Sequence, residues 1–108
     1  MNHVLHLRSL ISGRTFRTDE IDYVDPQYGP DGVVDVVYDY DAVKRDISRE
    51  SLRQNGERSM WRYKPLLPIE ADAVVPPLQI GWTPIYPTPR LAADLGLRHL
   101  WVKDDGRN

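Results

Sequence analysis

Lys103, Asp104, Asp105 and Asn108 fall within six residues at the end of the chain, and each type could do chemistry. A lysine amine forms a Schiff base with a carbonyl when it is neutral and desolvated. Two carboxylates share acid and base duties when they converge on one proton. Adjacent residues on a loop seldom converge, so Asp104 and Asp105 read as solvated charges, and Lys103 reads as a solvated or ion-paired lysine. Arg49, Arg53, Arg58 and Arg62 could draw a phosphorylated ligand, although such spacing is also that of a solvated helix face. Trp61, Trp82 and Trp101 offer stacking surfaces, with anchoring in a core or an interface as the plainer reading. His3 and His6 share one end of the chain and His99 lies far from them. They read as solvent-facing or edge-strand residues rather than as a ligand set.

Composition narrows the classes. A chain of 108 residues holds one small domain, not a two-domain enzyme. Its 41% hydrophobic and 28% charged residues are ordinary for a folded protein. A net charge of -2 and no basic block give no electrostatic footprint for nucleic acid. No apolar run nears the roughly 18 residues that span a membrane, and the first residues lack a charged-then-apolar leader. With no cysteine there is neither a disulfide nor a thiolate metal site. The cytoplasm is the expected compartment.

The elements that must position these residues fall into segments. His3–Arg8, Thr15–Thr18 and Val33–Tyr40 carry strand signals, and the last is rich in β-branched and aromatic residues. Turn residues at Ser12-Gly13 and Tyr28–Gly32 punctuate them, which predicts a three-stranded antiparallel meander. Residues 41–64 read as two helices parted by Asn55-Gly56. Val43, Ile47 and Leu52 make a buried stripe on the first; Met60, Trp61 and Tyr63 lie on the second, which ends before Pro65. Six prolines between Pro65 and Pro87 predict an extended connection. Its Leu66, Leu67, Ile69, Val74, Val75, Leu78 and Ile80 suggest a segment lying on a larger body. Thr88 is the expected N-cap of a helix with Pro89 at its first position, an apolar face of Leu91, Ala92 and Leu95, and Gly96 as a left-handed stop. His99–Val102 is then a short strand, with few partners or none. The polar loop 103–108 follows at its C-terminal end, where ligands collect in open α/β sheets.

Three blocks occur in order near the end: "G-x-T-P" at Gly81–Pro84, "R-L-A-x-x-L-G" at Arg90–Gly96, and "L-W-V-K-D-D-G-R-N" at Leu100–Asn108. Together they resemble the start of the catalytic core of the threonine synthases, fold-type II pyridoxal-phosphate enzymes. Ser59–Pro68 is similar to that family's "S-x-W-R-Y-x-x-L-L-P" segment. In the family the last strand runs into "N-P-T-G-S-F-K-D-R", whose lysine binds the cofactor. Asn108 is the first letter of that motif, and Lys103 matches the strand end rather than the cofactor lysine. Lys103-Asp104-Asp105 stands where the family often has "K-x-E".

The resemblance reaches the first forty residues as well. One branch of the family begins with two C-x-x-C knuckles. Leu7–Phe16 matches the first with Ser9 and Ser12 at the cysteine positions. Asp25–Gly29 matches the second with Asp25 and Tyr28 there, and the strand to Tyr40 follows in place. Hydroxyls and one carboxylate are a poor substitute for four thiolates, so no zinc is expected. Packing of Phe16, Tyr23, Tyr28 and Val36 is expected in its place.

The resemblance thus implies an α+β chain in three parts: a metal-free, ribbon-like β module at 1–40, helices and a Pro-rich connection at 41–80, and the start of a pyridoxal-phosphate-binding α/β domain at 81–108. It implies a parent enzyme that converts O-phosphohomoserine and water to threonine and phosphate. No catalytic residue lies in this chain, which is expected to bind no pyridoxal phosphate and to be inactive alone. Asn108 is the one position beside the cofactor site, expected here to be a frayed end. The expected partners are the rest of the catalytic chain, which the apolar connection would meet, and a second copy of the chain. A sister lyase or synthase of the same fold, such as cysteate synthase, and a stand-alone binding module remain alternative readings.

Overall fold

The computed structural model describes residues 3–108. The chain is mixed α and β, with small antiparallel sheets and few helices. It forms two compact units, one of residues 3–56 and 63–75, the other of 57–62 and 76–108.

The first unit is built on a three-stranded antiparallel sheet: β1 (Val4–Ser9), β2 (Thr15–Phe16) and β3 (Val34–Tyr38). Its order is β2-β1-β3, so the expected meander is corrected: β3 pairs with β1, not β2. The reason is length. β2 pairs over two positions only, Leu7↔Phe16 and Arg8↔Thr15, and offers no second edge of useful extent. Leu7 faces Phe16 on one side and Val36 on the other, which puts Leu7 and Phe16 in the core. The register slips between Val4 and His6, leaving Leu5 as an extra residue turned out to solvent. β1 is thus the central strand, which corrects the edge-strand reading of His6.

Two helices follow in this unit, α1 (Tyr40–Asp46) and α2 (Arg49–Gln54). The break falls at Ile47, which is extended, rather than at Asn55-Gly56 alone. Ser48 explains it. Its hydroxyl accepts from Ser51 N, and the Ser51 hydroxyl accepts from Ser48 N, a reciprocal box that starts a new helix. Asp39 caps α1 by accepting from Ala42 N. Val43 is buried, whereas Ile47 and Leu52 are half-buried. The expected second helix is instead a 3-10 stretch over Met60–Leu66, non-helical at Tyr63 and with Pro65 inside it. Proline has no N–H to continue an α-helix, and 3-10 geometry tolerates short runs.

In the second unit, β4 (Ile85–Pro87) and β5 (Trp101–Lys103) pair antiparallel. The sequence reading missed β4 because Pro84 before it and Pro87 at its end argue against a strand; at a ribbon edge they are tolerated. Between the strands runs α3 (Pro89–Asp94). It ends in a Schellman pair, Leu97 N to Ala92 O and Gly96 N to Ala93 O, with Gly96 at φ +66 as expected. Thr88 stands at the N-cap position, yet its hydroxyl does not cap. It donates to Leu100 O, tying the helix start to the approach of β5. Of the expected apolar face, Ala92 is buried, while Leu91 and Leu95 are exposed. Among the described residues no helix is long and apolar enough to cross a membrane.

Candidate functional site

The loop after β5 is not loose. It is stitched to the turn that leads into β4, within the second unit. Asp104 N donates to Pro84 O at 2.9 Å. The Thr83 hydroxyl donates to Asp105 Oδ1 at 2.6 Å, and Lys103 Nζ donates to the same oxygen at 2.6 Å. Gly81 N donates to Asn108 Oδ1 at 2.6 Å. Arg107 Nη1 reaches the Tyr86 hydroxyl at 3.2 Å. Asn108 is therefore an anchored residue, which corrects the frayed end expected for it.

The turn being held is unusual. Gly81 and Trp82 both have positive φ, +77 and +53. Tryptophan gains nothing from the left-handed region, so neighbours must hold it there. Arg62 stacks over the Trp82 ring at 4.5 Å, and Met60 N donates to Ile80 O. A side chain at Gly81 would come within 3.1 Å of Met60 N. The only local signal of this turn in the sequence is Gly81 itself.

These contacts decide the candidate chemistry. Lys103 is ion-paired with Asp105, as the plainer reading had it. Its hydrogen bond, then that of Thr83, holds the Asp105 carboxyl below the ordinary carboxylate value. Asp104 and Asp105 do not meet at one proton: Asp105 turns to Lys103 and Thr83. The chain has three lysines. Lys44 pairs with Asp41 and Lys64 donates to Ala73 O, so each of the three has a partner. None is the desolvated amine that pyridoxal phosphate needs. The residues of this chain do not fit that cofactor.

In the first unit Arg53 pairs with Glu50 on α2 and Arg49 is exposed; in the second Arg58 is exposed and Arg62 stacks against Trp82. Trp82 and Trp101 are exposed and Trp61 half-buried, so none is a core anchor within its unit. His3 Nε2 lies 2.5 Å from Asp46 Oδ2 and ties the start of β1 to the end of α1.

A second constellation lies in the first unit, at the knuckle positions. Two turns, each closed on its first residue and each with a left-handed glycine, stand side by side. In one, Ser12 N donates to Ser9 Oγ, Gly13 N donates to Ser9 O, and Gly13 has φ +73. In the other, Gln27 N donates to Asp25 Oδ1, Tyr28 N donates to Asp25 O, and Gly29 has φ +53. Between them the Ser12 hydroxyl donates to Asp25 Oδ2 at 3.0 Å. Among the described residues Ser9 and Asp25 are the two most deeply buried side chains, Asp25 at 0% exposure. The apolar packing expected here is therefore corrected. Phe16 is buried, but Tyr23 is 87% exposed, and Tyr28 and Val36 are half-buried. A polar cross-link occupies the centre. Burial pushes the Asp25 carboxyl up; the Gln27 N–H, the Ser9 and Ser12 hydroxyls and the charge of Arg14 outweigh it and leave it below the ordinary value.

No family model and no solved structure matches the chain. Among curated proteins, threonine synthase of Methanosarcina acetivorans is 38% identical over 103 residues, 95% of this chain and 24% of that protein. Threonine synthase of Methanocaldococcus jannaschii is 36% identical over 101 residues, with 94% and 24% covered. This chain is related to the threonine synthases. It spans about a quarter of the length of the relatives it matches. The similarity takes in both units.

Proposed function

We propose that this chain works as the leading part of a threonine-synthase-type enzyme, a lyase that makes threonine from O-phosphohomoserine and water and releases phosphate. The observation that carries the reading is similarity at 36–38% identity across nearly the whole chain. The stitched turn supports it: a left-handed Gly81-Trp82 pair, held from both sides, places Asn108 beside the entry to β4. In this reading the first forty residues form a metal-free, ribbon-like module, residues 41–80 the connection, and residues 81–108 the opening of a fold-type II domain. Pyridoxal phosphate supplies the electron sink for the chemistry and is held by residues outside this chain. The chain contributes position, not reacting groups, and works in the cytoplasm.

The apolar surface supports a partner. In the second unit Trp82, Ile85, Leu91, Leu95, Leu97, Trp101 and Val102 are all exposed. The expected surface on the connection is present in part: Leu66, Val74 and Leu78 are exposed, while Leu67, Ile69, Val75 and Ile80 are half-buried. In this reading the remainder of the catalytic chain covers these residues, and self-association of the free chain competes with that cover.

The test is a graft. This chain replaces the matching quarter of the Methanosarcina acetivorans enzyme, and the hybrid is expressed in a threonine auxotroph. Growth without threonine is expected from the hybrid, and none from the 108-residue chain alone. A soluble hybrid that fails while the parent succeeds overturns the proposal. Threonine formation by the purified chain alone overturns its assignment as a non-catalytic part.

A further inference from the structure

Ser9, Ser12, Asp25 and Tyr28 stand where one branch of the resembled family has the cysteines of its two knuckles, and this donor set does not fit zinc. Structural zinc takes four ligands, nearly always thiolate or imidazole. Here the oxygens already serve protein donors. Asp25 Oδ1 accepts from Gln27 N and Oδ2 from the Ser12 hydroxyl. Ser9 Oγ accepts from Ser12 N, and Ser12 Oγ accepts from Arg14 N. Among the described residues no group of three or more His, Cys, Asp or Glu side chains could hold a metal ion.

We propose that the Asp25 carboxylate joins the two knuckle turns as an ion-free clasp, and that the clasp opens as one local unit when the carboxylate is neutralised. Its geometry is that of a cross-link. The carboxylate takes a hydrogen bond from Gln27 N in its own turn and, across the gap, from the Ser12 and Ser9 hydroxyls of the other. The backbone is shaped to bring it there: Asp25 N donates to Gly32 O at 2.7 Å, and Gly32 leaves room that a side chain would fill. A Cβ on Gly32 would lie 2.5 Å from Asp25 O. Leu10 N to Val33 O and the Val24↔Val33 bridge fasten the far sides of the same two turns. The charged group facing Asp25 from the first turn is Arg14, whose Nη1 also reaches Gln27 Oε1 at 3.4 Å. Ser9, Ser12 and Gln27 are neutral, and Gly32 presents only backbone. With the carboxylate charged, each donor around it has an acceptor. Protonated, or replaced by an amide, it brings a donor into a ring of donors.

The clasp can open without the sheet. The bonds of β1 to β3, Leu7↔Val36 through Ser9↔Val34, do not pass through Asp25. The test is amide hydrogen exchange, read residue by residue by NMR on this 108-residue chain. In the native chain the amides of Ser12, Gln27 and Tyr28 are expected to be protected equally with and without a strong metal chelator. In Asp25→Asn these amides exchange about tenfold faster or more, while Leu7 and Val36 keep their rates. If Asp25→Asn does not fold, Ser12→Ala serves. It removes the hydroxyl's bond to Asp25 and the one it accepts from Arg14 N, leaves the charge, and the same amides speed up several-fold. Three outcomes overturn the proposal: a chelator that strips protection from the native chain, an Asp25→Asn chain that exchanges as the native one does, or a Ser12→Ala chain whose sheet and turn amides accelerate together.

Discussion

The two units hold short antiparallel pairings in place by opposite means. In the first, the fastening is central and buried: Leu7 and Phe16 pack behind the sheet, and Asp25 with Ser9 sits fully enclosed between the turns. In the second, the fastening is peripheral and wet. Side chains of Thr83, Lys103, Asp105, Arg107 and Asn108 stitch the ribbon along its outside, and its large apolar residues face solvent. A buried fastening resists single changes poorly, because each atom in it has no water to fall back on. An exposed one fails by small steps. The first unit carries its own core, and the second leaves most of its large apolar residues exposed.

Replacing Phe16 by alanine should break the first unit. Emptying a buried phenylalanine costs about 3–5 kcal/mol, a large part of the stability of a unit this small. The matching change, Trp101→Ala at a 56% exposed site, should leave the second unit folded. Urea titrations followed by amide signals from each unit check both. Equal losses would erase the distinction. Gly32→Ala comes next. Its methyl must displace the Asp25 main chain, and overpacking of this kind costs about 1–3 kcal/mol. The same titration should show the turn signals failing before those of the sheet.

Caps test the helices on each side of the comparison. Asp39→Ala removes the acceptor for Ala42 N and should cost about 1 kcal/mol. Gly96→Ala forces a side chain into the left-handed region at φ +66, with open space around it, and should cost about 1 kcal/mol by backbone strain alone. Thermal unfolding by circular dichroism measures both.

The smallest effect concerns acid. Asp105 is held below the ordinary carboxylate value of 3.8, first by the Lys103 hydrogen bond and then by Thr83. A depressed folded-state value means the contribution is present above the unfolded value and lost as pH falls through the folded one. Carboxyl titration by NMR should therefore place the Asp105 midpoint below 3.8, and Lys103→Met should move it upward. An unmoved midpoint would show that the stitching is not electrostatic.

Much of the local structure was legible in the sequence. The β-branched run at Val33–Tyr40 announced β3, and Pro89 with Gly96 bracketed α3, because both signals act through the backbone of the residues that carry them. What stayed hidden depends on residues far apart. Strand order followed from how little of β2 can pair. The role of Thr88 changed because Leu100 O lies within reach. β4 was masked by its prolines until β5 supplied a partner. At the site, the lack of metal ligands could be read from residue types. The hydrogen bonds that stand in their place could not, since Ser12 and Asp25 meet only after two turns are folded against each other.

One consequence of the Asp25 clasp lies outside stability. A thiolate knuckle can be undone by an oxidant, which converts its sulfurs to disulfide or sulfenic acid, and by scarcity of its ion. This chain has no cysteine, and oxygen atoms do the fastening. In the clasp as proposed there is no sulfur for an oxidant to take and no ion to lose, and the vulnerability moves to acid strong enough to neutralise Asp25.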